Sequence, residues 1–410
     1  MKVKRKIFYF LPIFLIILSN ICFAIEPTIN SGSAILVEES TEKILYEKNA
    51  YEKMYPASTT KILTAILVLE NCNLDDMATV SHNAVYSLPQ AYVTTNLREG
   101  EQISINDLMY ALMLKSANDA AIVLAEHVGG SLEGFAEMMN KKAQEIGCKN
   151  THFVNPNGMH DDDHYTTDYD LYLMAKYAMQ NETFRKYVTT TTYTLPTTNK
   201  YTNNDRICVN TNEFLKKSSK YYNQNIIGIK TGTTTEAKNC LISAIKNDET
   251  TLYSVTLHSE TNAERYTETQ KLFDYGYNDF DFKNIVEEKK VIQNIEVENG
   301  NKDTKNLDLY AKDTITDYIK TEINMSEITP TIKLNEPIKA PIQAGDILGK
   351  VTYSIDGTDY TTDLIASHDV VKKIDIVSIT IIIGGILIFL LGLILFIKSF
   401  KIKNKKKIYR

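Results

Sequence analysis

From Ile376 to Ile397 the sequence reads IVSITIIIGGILIFLLGLILFI, without a charged residue. Inside a bilayer such a stretch satisfies its backbone groups only as a helix, and it is long enough to cross. KSFKIKNKKKIYR follows, with six lysines, one arginine and no acid. Cationic flanks of this kind stay on the cytoplasmic side of a span. The chain opens MKVKRKIFYFLPIFLIILSNICFA, four basic residues ahead of an apolar run that ends at a small residue, Ala24. That pattern reads as a secretory signal peptide over residues 1–24, and the bulky Ile21 argues against lipidation at Cys22. The expectation is an exported protein, anchored in the cell membrane by a single C-terminal transmembrane helix over residues 376–397. A basic cytoplasmic tail would occupy 398–410, and the folded domains would lie outside the cytoplasm.

The formal net charge of −6 hides an asymmetry. The eleven basic residues of the two ends leave 34 basic against 51 acidic residues between them, a charge near −17. Such a surface repels nucleic acid, so no nucleic-acid partner is expected. Cys72, Cys148, Cys208 and Cys240 fit no metal spacing and are too sparse for a disulfide scaffold; buried free thiols are the simpler reading, with their pairing left open.

SAILVEES and KILYEKN read as a hairpin, and Pro56 to Asn71 as a helix so apolar that it is buried on all sides. Helical patterning runs from Ile105 to about Ile146, broken at KSAND and GGS, with a further helix over Asp170 to Asn181. VTTTTYTLPTTNKYTNN suits extended structure or a flap. NIIGIKTG, NCLISAIK and TLYSVTLHS read as strands, NDET as the turn between the last two, and Ala263 to Tyr275 as an amphipathic helix. Strands, many helices, then strands again indicate an α+β domain: one antiparallel sheet whose edge strands come from both ends, with a helical cluster inserted. Over 283–370 short alternating segments such as KVTYSIDGTDYTTDLIAS suggest a small all-β domain, with a spacer or docking role.

The chemistry centres on YPASTTKILTAILVLE. Three residues apart on a helix, Ser58 and Lys61 share a face. Serine is a weak nucleophile until a neighbouring base takes its proton. A lysine amine is such a base only when neutral, a state favoured by burial and nearby cations. A capping serine beside an ordinary solvated lysine would account for this spacing equally well. Two further motifs narrow the reading. Ser116-Ala-Asn118 lies between apolar helical segments, and Lys230-Thr231-Gly232 ends an apolar strand, where Gly232 permits close approach of a ligand. Ser-x-x-Lys, Ser-x-Asn and Lys-Thr-Gly, in this order, are the set used by penicillin-binding proteins and class A β-lactamases.

On these motifs, and on LREGEQISINDLMYALMLKSANDAAIVLAEHVGG, THFVNPNGMHDDDHYTTDYDL, VNTNEFL and GIKTGTTTEAKNCLISA, the chain resembles low-molecular-mass penicillin-binding proteins, the serine-type D-alanyl-D-alanine carboxypeptidases. The resemblance implies a β-lactamase/transpeptidase-like catalytic domain over 25–282, followed by the small β-domain and the span. It also implies removal of the terminal D-alanine from peptidoglycan stem peptides, with β-lactam antibiotics as covalent inhibitors. Ser58 would be the acylated nucleophile, Lys61 its general base and Ser116 a proton relay to the leaving amine. Asn118 would hold the substrate amide, and Lys230 and Thr231 the terminal carboxylate. The N–H groups of Ser58 and Thr233 would form the oxyanion hole. No metal or organic cofactor is needed. The chain departs from the family at Thr233, often histidine or tyrosine, and at Thr211, where some relatives carry an arginine for the carboxylate.

The same motifs would serve a D,D-endopeptidase or a β-lactamase, though no extra deacylation base is identified. A catalytically quiet peptidoglycan-binding or penicillin-sensing module is the alternative outside enzymes. His152, His160 and His164 beside Asp161, Asp162 and Asp163 are read as a solvated loop rather than a metal site. Lys115 is read as a solvated helix-end charge.

Overall fold

The computed structural model describes residues 26–374 and 376–408; the expected signal peptide lies outside them. It contains two compact units. One runs to Asp281 and includes Tyr318–Glu322, and the other comprises Phe282–Asp317 and the chain from Ile323. Tyr318 belongs to the first unit because its hydroxyl donates to Gly276 O (3.0 Å) and its ring stacks on Phe280.

The first unit is built on a five-stranded antiparallel sheet, in the order Ile44–Lys48, Ser33–Glu38, Thr251–Ser259, Lys238–Lys246, Ile226–Thr234. One edge strand comes from the start of the unit and the other from its later part, as the pattern predicts. Helix Lys61–Asn71 is buried from Lys61 through Val68. It packs against helices Asn118–Gly129, Leu132–Ile146 and Asp168–Met179, and this cluster covers one face of the sheet. Helix Asn262–Asp279 covers the other face, held at its start by a capping box between Thr261 and Glu264. Gly276 lets this helix close on the sheet, since a Cβ there would meet Leu252 Cδ1 at 2.6 Å.

Two departures from the sequence pattern matter for the site. The helix expected from Pro56 begins as a 3₁₀ turn, Ala57–Thr60, and becomes α-helical only at Lys61. The helix starting at Ile105 widens into a π-turn over Ala111–Lys115 and stops at Ser116, in the left-handed conformation (φ 60°). Such wide turns concentrate at functional sites. The threonine-rich segment forms a small hairpin in which Thr192–Thr194 pairs with Ile207–Val209. The helix expected from Asp170 begins at Asp168 because Thr167 caps it, accepting from Asp170 N.

In the second unit a five-stranded antiparallel sheet runs Val291–Glu296, Asn306–Ala311, Thr358–Ala366, Ile347–Ile355, Thr331–Leu334. Strict alternation buries Leu307, Leu309, Val351, Tyr353 and Leu364 on one face. Asp356 and Gly357 both take positive φ (48° and 79°), the turn that Asp-Gly favours between hairpin strands. Helix Ile376–Ile408 continues past the apolar run into the basic segment, and its stretch Ile379–Ser399 is long and apolar enough to cross a membrane.

Candidate active site

Ser58 sits on the 3₁₀ turn that precedes helix Lys61–Asn71. Ala57 before it is left-handed (φ 49°), an unfavourable conformation for a residue with a Cβ. Lys61 is fully buried, and its amine meets three groups: Ser58 Oγ at 2.8 Å, Asn118 Oδ1 at 2.9 Å and Asn157 O at 2.6 Å. Burial, and after it the charge of Lys230, hold its pKa well below that of an ordinary lysine; Asp119 pulls the other way. The first and second motifs are therefore joined directly through Lys61 and Asn118. Asn118 is itself fixed, donating from Nδ2 to Val93 O (3.0 Å). The buried Asp119 carboxylate accepts from the N–H groups of Thr95, Leu97 and Ala120, so it serves the loop behind the motif. Ser116 lines the same cleft, but its buried Oγ has no hydrogen-bond partner among the described residues.

The third motif comes up along the edge strand Ile226–Thr234, which continues beyond Gly232 instead of ending there. Gly232 is crowded by the protein itself: a Cβ would stand 2.9 Å from Pro56 O and 3.0 Å from Ser58 N. The glycine expected to admit a ligand is first required to admit the nucleophile turn. Lys230 is buried, donates to Thr231 O (3.1 Å), and has its pKa pushed down to about 7 by burial and then by Arg265. Thr231 Oγ1 lies 2.7 Å from Thr211 Oγ1. Together Ser58, Ser116, Asn118, Thr231, Gly232 and Thr233 line one cleft of about 590 Å³. Lys115, half-buried, stands at its lip.

Three residues in this site were not found from the sequence. Arg265, buried on helix Asn262–Asp279, donates from Nη1 to Gly232 O (3.0 Å), Thr233 Oγ1 (3.1 Å) and Cys240 O (3.3 Å), and it lines the cleft. Its Nε has no partner among the described residues. Asn157 supplies a main-chain acceptor, which no side-chain pattern reveals. His164, read as part of a solvated loop, is buried against Thr60, whereas Asp161, Asp162 and Asp163 are exposed as expected. No group of three His, Cys, Asp or Glu residues able to hold a metal occurs among the described residues. The four described cysteines are free thiols; burial pushes Cys240, the one nearest the nucleophile turn, up to about 12.

Residues 22–261 match the family model described as D-alanyl-D-alanine carboxypeptidase, which spans more than half of the chain. The chain belongs to the D-alanyl-D-alanine carboxypeptidase family. Residues 280–372 match the model for the C-terminal domain of penicillin-binding protein 5. The chain is 31% identical to D-alanyl-D-alanine carboxypeptidase DacF of Bacillus subtilis (strain 168), over 83% of its own length and 86% of the relative's. It is 29% identical to DacC of Escherichia coli (strain K12), over 84% and 86% respectively. The solved structure of penicillin-binding protein 5 from Haemophilus influenzae superposes with a TM-score of 0.63 at 28% identity, covering 85% of this chain and 99% of that one. Family membership thus rests on both units, while the geometry above is this chain's own.

Proposed function

We infer that this chain is a serine-type D-alanyl-D-alanine carboxypeptidase working by an acyl-serine mechanism. The observation that carries the reading is the buried Lys61 amine 2.8 Å from Ser58 Oγ. A neutral amine has two N–H donors and one lone pair. The two pure acceptors, Asn118 Oδ1 and Asn157 O, take the donors, which leaves the lone pair for the Ser58 O–H. The helix N-terminus beneath favours both the neutral amine and a developing alkoxide.

In acylation Ser58 Oγ attacks the carbonyl carbon of the penultimate D-alanine and its proton passes to Lys61 Nζ. The N–H groups of Ser58 and Thr233 are assigned to the oxyanion. As the C–N bond breaks, the Ser116 hydroxyl, which has no hydrogen-bond partner among the described residues, relays the proton from Lys61 to the departing D-alanine amine. Water then attacks the ester, again with Lys61 as base. Asn118 would hold the substrate amide. The terminal carboxylate would meet Lys230 and Thr231, with Arg265 supplying a cation that Thr211 does not. Among the described residues the groups hydrogen-bonded to the Lys61 amine are a hydroxyl and two amide oxygens, none of them a carboxylate that could serve beside it as a second base for hydrolysis. Penicillins would therefore acylate Ser58 and leave slowly, which favours a peptidase over a β-lactamase.

We further propose that residues 1–24 direct export, that 25–282 is the catalytic domain and 283–370 a spacer or docking module. The span over 376–397 would hold the enzyme at the membrane with its catalytic domain on the extracytoplasmic side, where peptidoglycan stem peptides are found. Release of D-alanine from an acyl-Lys-D-Ala-D-Ala peptide, by the full chain in detergent, tests the reading. Release that vanishes in Ser58→Ala is expected. A folded enzyme that binds labelled penicillin yet releases no D-alanine would move the reading to an endopeptidase or a sensing module.

A further inference from the structure

Thr60 lies between the nucleophile and its lysine, and its hydroxyl serves two neighbours. It donates to Ala57 O (2.8 Å) and lies 2.9 Å from His164 Nε2. One hydroxyl proton serves only one acceptor, so the proton between Thr60 and His164 resides on Nε2. The other ring nitrogen agrees with that tautomer. His164 Nδ1 accepts from Val154 N–H (3.1 Å) and is therefore bare. Burial keeps this imidazole neutral, with a pKa lowered to about 3. A directed chain results: Val154 N–H to His164, His164 to Thr60, Thr60 to the Ala57 carbonyl. Thr60 and His164 are 1% and 2% exposed, so water does not compete for these bonds.

The chain ends on an amide that matters. The Ala57 carbonyl and the Ser58 N–H belong to one peptide group. A carbonyl that accepts a strong, desolvated hydrogen bond makes the N–H of its own amide a better donor, and successive bonds reinforce one another. Orientation is fixed as well. The left-handed Ala57 turns its carbonyl towards Gly158, where a Cβ would stand 1.8 Å from that oxygen. Gly158 therefore leaves the slot that this carbonyl occupies, and Thr60 holds the carbonyl in it.

We propose that His164 is a positioning residue for catalysis: through Thr60 it orients and polarises the Ala57–Ser58 amide, whose N–H is one of the two oxyanion donors. The proposal rests on the assignment of the Ser58 N–H to the oxyanion. A histidine that merely filled space beside Phe153, 5.1 Å away between ring centroids, would have no reason to keep one tautomer or to end on this amide.

The test compares His164→Phe, His164→Gln, Thr60→Val and Thr60→Ser in the full chain in detergent, using a cephalosporin as probe. Glutamine can place an N–H near the position of Nε2, whereas phenylalanine cannot; valine matches the shape of threonine without its hydroxyl. Removing an oxyanion donor outright costs about 10²–10³-fold in rate. Weakening one through its amide should slow acylation about fivefold, a fraction of that loss. Expected are this slowing in His164→Phe and Thr60→Val, with non-covalent affinity within about twofold of the parent. In the acyl-enzyme of both variants the ester carbonyl band should move to higher wavenumber, reporting a less polarised carbonyl. His164→Gln and Thr60→Ser should restore rate and band together. A band that stays put in Thr60→Val, or a His164→Gln variant no better than His164→Phe, overturns the proposal. If His164→Phe does not fold, the two Thr60 variants decide by the same criterion. A parent protein that is not acylated at Ser58 would instead refute the reading on which the proposal stands.

Discussion

In the hairpin formed by Ile347–Ile355 and Thr358–Ala366, each conformation agrees with its residue: apolar side chains alternate inward, and the positive φ angles fall on Asp356 and Gly357. Around Ser58 the same rules are broken. The positive φ angles fall on Ala57 and Ser116, two lysine side chains are buried, and hydrogen-bonding atoms of Ser116 and Arg265 have no partner among the described residues. Local strain of this kind persists only where surrounding structure over-determines it. Here the surroundings are helices buried on most of their surface, a sheet edge and a loop that press on one turn. The difference separates residues that specify the fold from residues that the fold holds against their preference.

The largest effect should come from removing the desolvated amine. Lys61→Met should lower the rate of Ser58 acylation by about 10³-fold, the usual scale for a general base. The same variant should melt no lower than the parent, since it replaces a costly buried amine with an apolar chain of similar length. Acylation kinetics beside thermal melting measure both; a variant that loses activity and stability together would place Lys61 with the hairpin residues instead.

Two glycines sharpen the contrast. Gly158→Ala, with a Cβ 1.8 Å from Ala57 O at φ +80°, should cost about 3 kcal/mol or more or displace the nucleophile turn. Gly357→Ala, at φ +79° with nothing within 4 Å, should cost only about 1 kcal/mol and leave acylation unchanged. Chemical denaturation with penicillin labelling compares them, and equal costs would show that the turn is no more constrained than the hairpin.

The two lysines give a pH test. Lys61 works as a base when neutral, so activity should fall as acid charges it, whereas Lys230 holds a carboxylate when charged, and its folded pKa is about 7. In the free enzyme KM for the peptide should therefore rise above about pH 7. Lys230→Arg, which stays charged, should flatten that rise at some loss of activity. A KM independent of pH in the parent would count against carboxylate binding by Lys230.

A smaller effect concerns acid stability. His164 has its folded pKa lowered to about 3, below the ordinary value of about 6.5. Between those values the unfolded chain binds the extra proton, so stability falls as pH drops from about 6.5 towards 3. His164→Gln should remove this share of the loss, seen as a shallower dependence of melting temperature on pH. An unchanged slope would mean that His164 is not buried and neutral.

The parts of this molecule written in local sequence were legible. The hydrophobic run at the C-terminus, the three sheet strands around NDET and the spacing of Ser58 and Lys61 all depend on neighbours a few positions away. A boundary failed where a cap decided it, as at Thr167, whereas the break at KSAND was legible and only the wide turn Ala111–Lys115 leading into it was not. Gly232 was legible as a point of close approach, but not as an approach of the protein to itself.

By itself the sequence determined the order of strands and helices, the three motifs and their residue types, because patterning and side-chain chemistry are local. Tertiary structure alone decided what those residues became. Lys61 meets Asn157 across 96 positions, Thr60 meets His164 across 104, and Arg265 reaches Gly232 across 33. Desolvation and hydrogen-bond count set an amine's basicity, a ring's tautomer and an amide's polarity, and these are fixed only when distant segments close around the same turn.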